Sequence, residues 1–92
     1  MPEGGQGDPQ VLFRHREQDY IYSVSSLPDG NVAACGENFG IKIFSGKDGQ
    51  VIQTIPVPAM SVWALFAMGN GDIVAGTSEN NIYIFKNRFT NV

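Results

Sequence analysis

Few side chains in this sequence could do chemistry. His15 is the one histidine, set between Arg14 and Arg16, and Cys35 is the one cysteine, set between Ala34 and Gly36. A metal site needs several His, Cys or carboxylate groups converging, and neither residue has a partner at a useful spacing. A nucleophilic cysteine needs a base in reach and a depressed pKa. An apolar segment offers neither, so Cys35 reads as a packed core thiol and His15 as a structural or solvated residue. Gly46-Lys47-Asp48-Gly49 and Gly69-Asn70-Gly71 resemble phosphate loops only superficially. Both lie between strand-like segments and lack the Walker spacing, so they are expected to be hairpin turns. With no paired carboxylates and no Ser-His-Asp set, the sequence points away from an enzyme, and it implies no cofactor and no metal.

The elements that carry these residues repeat. Internal repeats change the fold answer and are sought first; here the chain matches itself at an offset of 41. Ile21-Tyr22 falls on Val62-Trp63, Gly30-Asn31-Val32 on Gly71-Asp72-Ile73, and Ile41, Ile43 and Phe44 on Ile82, Ile84 and Phe85. Each period reads as short strands parted by turn residues. Tyr20 to Leu27 stops at Pro28-Asp29-Gly30-Asn31, where proline pre-sets φ and glycine supplies a positive φ. Val32 to Cys35, Ile41 to Phe44 and Gln50 to Ile55 follow; Ser61 to Met68, Asp72 to Gly76 and Ile82 to Phe85 are their counterparts. No segment keeps apolar residues at spacings of three and four, so no helix is predicted. Runs such as Ile82-Tyr83-Ile84-Phe85 are apolar on both alternations, which calls for cover on both sheet faces. Stacked four-stranded blades of a β-propeller provide it, and a period of about 40 residues suits such blades.

Composition agrees. Ninety-two residues, 42% apolar and 16% charged, suffice for one core; 11 Gly and 5 Pro suit strands and turns. A formal charge of −3 argues against nucleic acid as a partner. No apolar run reaches the length of a spanning helix, so no membrane partner is expected. Met1 to Gln10 lacks the basic start and apolar stretch of a secretory signal, and one cysteine builds no disulfide framework. A cytoplasmic or nuclear location is expected.

Leu27-Pro28-Asp29-Gly30-Asn31-Val32-Ala33-Ala34-Cys35-Gly36-Glu37 resembles a WD40 repeat, as does Ser61-Val62-Trp63 through Gly71-Asp72-Ile73-Val74-Ala75-Gly76-Thr77 to Ile82-Tyr83-Ile84-Phe85. Pro58-Ala59-Met60-Ser61-Val62-Trp63, followed by Asn70-Gly71-Asp72-Ile73-Val74, is similar to the last two propeller blades of the phospholipase A2-activating protein family. That family is a ubiquitin-binding cofactor of the Cdc48/p97 segregase. The resemblance covers residues 10 to 86. It implies a non-catalytic interaction scaffold that binds ubiquitin on its acidic rim, the partner offering an apolar patch edged by basic residues. The sequence departs from the repeat in three places. The Trp-Asp pair is Phe44-Ser45 and Phe85-Lys86, the turn aspartate is Asn38 and Glu79, and no Gly-His pair stands near Arg16-Glu17. Packing rather than the usual polar network is therefore expected to hold the blades. The seven blades and two downstream domains of the family do not fit in this length, so segregase recruitment is not carried over.

Strand direction places the loops at 17–19, 37–40, 56–60 and 78–81 on one rim, the rim by which propellers usually bind. Glu37, Asn38, Phe39, Met60, Trp63, Ser78, Glu79 and Asn80 are the candidate docking residues. Glu17 and Asp19 add to the acid, and no lysine or arginine lies in those loops. Trp63 is expected either to pack between blades or to line the mouth of the channel.

The strand order is uneven. Residues 10–16 align with the fourth strand at 51–55, so they form an outer strand without a blade. The second blade, 56–86, lacks its outer strand, whereas the first, 17–55, is complete; residues 1–9 are expected to be a flexible tail. Two blades cannot close a ring, which takes about four to eight. Head-to-tail assembly is expected, with Val11, Leu12 and Phe13 of one copy completing the Ile82, Ile84 and Phe85 strand of the next. Three or four copies would give six or eight blades, each contact burying roughly 1,000 Å² or more. An oligomeric lectin-like binder and a structural piece of a larger propeller are the alternative readings.

Overall fold

The computed structural model describes residues 7–86, so residues 1–6 of the expected tail and 87–92 lie outside the described residues. Seven strands follow in order: β1 (Ile21–Ser26), β2 (Val32–Gly36), β3 (Ile41–Phe44), β4 (Val51–Ile55), β5 (Val62–Ala67), β6 (Ile73–Thr77) and β7 (Ile82–Phe85). They form two antiparallel meanders, β1-β2-β3-β4 and β5-β6-β7. No helix occurs among the described residues, so none is long and apolar enough to cross a membrane.

The 41-residue period governs pairing as well as sequence. Val24 opposes Ala34 and Leu65 opposes Ala75; Val32 opposes Phe44 and Ile73 opposes Phe85. Each innermost strand carries a bulge at the same place, between Ile21 and Ser23 and between Val62 and Ala64. The extra residue is an aromatic both times, Tyr22 and Trp63. The first turns match too, with Gly30 at φ 92° and Gly71 at φ 93°. In the first turn Asn31 donates from its backbone and side-chain nitrogens to the Asp29 carboxylate, each at 3.0 Å. In the second the two residue types are exchanged. The Asp72 amide donates to Asn70 Oδ1 at 2.9 Å, and Asn70 Nδ2 donates to Asp72 Oδ2 at 3.1 Å. Either order clips the same turn, since each side chain can accept from a backbone N–H two residues on.

One face of each sheet makes the core. Ala33, Cys35, Ile41 and Ile43 of the first sheet pack against Val62, Ile73 and Ala75 of the second, with Leu65, Ala67 and Phe85 at the margin. Cys35 Sγ donates across this interface to the Val62 carbonyl at 3.1 Å, and the Leu65 amide donates to Ser23 Oγ at 3.2 Å. Residue pairing assigns Ala64, Phe66, Val74, Gly76, Ile82 and Ile84 to the opposite face of the second sheet. Four of the large apolar positions on the remaining faces, Val24, Phe66, Ile82 and Ile84, are exposed. The two-sided cover expected from the apolar runs is thus met on one side of each sheet, because two sheets share a single interface. Residues 10–16 pair with no strand among the described residues; they run along the back of the first sheet. There Phe13 presses on Gly49, and His15 meets the Phe44 ring edge-on with centroids 4.7 Å apart.

Candidate functional site

The loop after β2 and the loop into β5 meet on the rim. Glu37 and Ser61 form an isolated bridge, the Glu37 amide donates to Tyr20 O at 2.9 Å, and the Asn38 amide donates to Met60 O at 2.7 Å. The second repeat copies the Glu37–Tyr20 bond, with the Ser78 amide donating to Ser61 O at 3.1 Å. Asn38 and Asn80 take positive φ values of 67° and 66°, a region that asparagine tolerates better than most residues.

The Glu37 carboxylate is the hub. Its Oε1 accepts from Tyr22 Oη at 2.8 Å and from Ser61 Oγ at 2.7 Å. Those two donors favour the charged form and outweigh burial, holding the Glu37 carboxyl below its ordinary value. The same bond raises the Tyr22 phenol above its ordinary value, with burial and the Glu37 charge adding to the shift. Glu79 reaches the Met60 amide at 3.4 Å. Glu37, Asn38, Met60, Ser78 and Glu79 are therefore brought together, joined through Ser61. Asn80 sits exposed on the next turn.

Trp63 does not pack between the sheets. As the bulged residue of β5 it has no cross-strand partner, and it is 57% exposed; a bulge commonly re-aims a side chain this way. Met60 is 62% exposed. The sequence reading underrated Tyr20, which is 75% exposed and lies with its ring 6.3 Å from that of Tyr22. The signal was present: Tyr20 stands two residues before Tyr22 at the rim end of the innermost strand.

The rim is less acidic than its loops suggested. Lys42, which belongs to β3 and not to a loop, reaches up to donate to Glu17 Oε2 at 2.7 Å, with His15 Nε2 equally close to that oxygen. Burial acts to raise the Glu17 carboxyl, but bonds and charges from Lys42 and His15 overcome it and hold it low. Lys42 Nζ also stands 5.4 Å from the centre of the half-buried Phe39 ring, a cation–π distance. Phe39 is thereby turned to Lys42, and it lines one cleft with Asn38 and Met60. Val11, Leu12 and Phe13 lie behind the first sheet while Ile82, Ile84 and Phe85 lie in the second, and the chain does not bring the two sets together.

Cys35 is fully buried, and burial pushes its thiol up to about 11, against the lesser opposing effect of a backbone bond at Ser23. Among the described residues no three His, Cys, Asp or Glu side chains converge as metal ligands.

No protein-family model matches the chain. It is 35% identical over 80 residues to the ubiquitin homeostasis protein Lub1 of Schizosaccharomyces pombe, covering 85% of this chain and 11% of that protein. The crystal structure of the WD40 β-propeller domain of Doa1 superposes with a TM-score of 0.73 at 35% identity, covering 82% of this chain and 25% of that one. The chain thus spans about a tenth of the length of the curated relative and a quarter of the solved one.

Proposed function

Taking the chain as a WD40-repeat protein like those of the phospholipase A2-activating family, we propose that it is a non-catalytic protein-interaction scaffold of the ubiquitin pathway, at work in the cytoplasm or nucleus. Its partner is ubiquitin, docked on Glu37, Asn38, Phe39, Met60, Trp63, Ser78, Glu79 and Asn80. One observation carries the reading: the exposed Met60 is bonded through its amide to Glu79, the next residue, Ser61, holds Glu37, and the exposed Trp63 lies two residues further on. An apolar centre edged by acid suits a protein surface that is apolar and edged by base. The chain is also its own partner, with three or four copies joined head to tail into six or eight blades.

Trp63 is the one tryptophan and reports on its own rim. Titrating ubiquitin while following Trp63 emission is expected to give a saturable change, weakened at least tenfold by Met60→Lys. A flat titration up to millimolar ubiquitin removes ubiquitin as the partner.

A further inference from the structure

The sequence holds one asparagine followed by glycine, Asn70-Gly71, in the turn between β5 and β6. Asparagine in that setting can convert itself. The amide nitrogen of the next residue attacks the side-chain carbonyl carbon, and where that residue is glycine no Cβ hinders the approach. Every other asparagine is followed by a residue with a side chain. The folded turn ties both reacting groups elsewhere. The Gly71 amide donates to Met68 O at 2.9 Å, and the Asn70 side chain is bonded at both ends to Asp72, through Oδ1 at 2.9 Å and Nδ2 at 3.1 Å. The first repeat shows what such a turn uses. There Asp29-Gly30-Asn31 stands in place of Asn70-Gly71-Asp72, with the Gly30 amide donating to Leu27 O at 3.1 Å and the same positive φ at glycine. One amide and one carboxylate close the turn in either order.

We propose that Asn70 is a site of spontaneous deamidation, closed while the second sheet is folded and released when this turn opens. The Gly71 nitrogen bonds to Asn70 Cγ and gives up its proton, the Cγ–Nδ2 bond breaks, and Nδ2 leaves as ammonia. Water then splits the five-membered imide at either carbonyl, giving aspartate or its backbone-lengthened isomer, isoaspartate. Aspartate at position 70 faces the buried Asp72 carboxylate across the 3.1 Å now spanned by a hydrogen bond, with no proton between the two oxygens. Lys86 Nζ lies 4.0 Å from Asp72 Oδ2 on an exposed side chain, where a surface charge offsets little of that repulsion. Isoaspartate instead adds a backbone carbon between Met68 O and the Gly71 amide and strains the bond that joins them. Either product keeps the turn from closing as before, so a single opening leaves a permanent mark on the second sheet. The first repeat is spared, because Asp29 stands there and a carboxylate is a poor target for an amide nitrogen. The reaction is independent of what the rim binds.

The test holds the whole 92-residue chain at pH 8, in native buffer and in guanidinium chloride, and locates each gain of about 1 Da by peptide mass spectrometry. Conversion at Asn70 is expected to be at least tenfold slower in native buffer than in denaturant. In denaturant it should outrun conversion at Asn31, Asn38 and Asn80. Equal rates at Asn70 in the two conditions overturn the protection, and no preference for Asn70 in denaturant overturns the site. Melting curves read the consequence. Asn70→Asp is expected to lower the melting temperature by about 5 °C. Adding Asp72→Asn to it writes the order of the first repeat into the second and should recover most of the loss. An Asn70→Asp chain that melts with the parent overturns the clip, as does a double variant no better than the single one. Where the single variant fails to fold, a folded double variant gives the same support and an unfolded one the same refutation.

Discussion

Ser61 donates from its hydroxyl to Glu37 at 2.7 Å, so a carboxylate just past β2 fastens the residue that leads into β5. Tyr22 donates to the same oxygen from the innermost strand of the first sheet. The repeat family uses an aspartate within its turn; this chain carries Asn38 at that place, and the polar clasp has moved one residue back and spans two blades.

The clasp sets an acid dependence. Folding lowers the Glu37 and Glu17 carboxyls below their ordinary value of 4.5, so the unfolded chain takes up protons at higher pH than the folded one. Stability from both groups is present in full above that range and is lost as the pH falls through the lower folded values. Thermal unfolding is expected to stay level from pH 7 to pH 5.5 and then drop toward pH 3, with a shallower drop for Glu37→Gln. An equal drop in the variant would remove Glu37 as a contributor.

Cys35 is expected to be inert in the native protein. Full burial and a thiol pushed up to about 11 leave almost no thiolate at pH 8. A thiol reagent at pH 8 should label it only at the rate of unfolding, and the rate should climb with urea. Stoichiometric labelling within minutes in native buffer would contradict the packing described.

Two glycines in equivalent strands should answer alanine differently. A Cβ on Gly36 would meet the Tyr20 carbonyl oxygen and the Phe39 ring, whereas one on Gly76 meets nothing within 4 Å in a single copy. Gly36→Ala is expected to lower the melting temperature sharply; Gly76→Ala should leave the single-copy fold intact. Melting curves of the two variants beside the parent chain make that comparison.

Ile41 is fully buried at the centre of the interface. Ile41→Ala should cost about 2–5 kcal/mol from lost transfer energy and the cavity left behind. That is a large fraction of what a domain this size holds, and urea unfolding would measure it.

Much of this was readable beforehand. Strand positions fell within about one residue of those expected from turn glycines and β-branched runs, and the offset of 41 recurs in the register of both sheets. The rim was readable only in part. Glu37, Met60 and Glu79 meet because loop positions follow from strand direction. Lys42 escaped notice because a strand residue reaches a rim through its side-chain direction, which spacing along the chain does not reveal. Ser61 escaped because its partner lies 24 residues away, bonded across blades where no motif marks it. Trp63 was ambiguous for a similar reason, since one bulge decides whether the ring points inward or outward.

The edge of β7 that is unpaired among the described residues also bears on folding yield. Ile82-Tyr83-Ile84-Phe85 is short, apolar on both faces and open along that side, the features that make a strand prone to cross-β stacking. Freshly made chains that meet through this strand can stack indiscriminately, a fate that crowding alone promotes. Yield on refolding should therefore fall as concentration rises, and slow dilution should favour the soluble product.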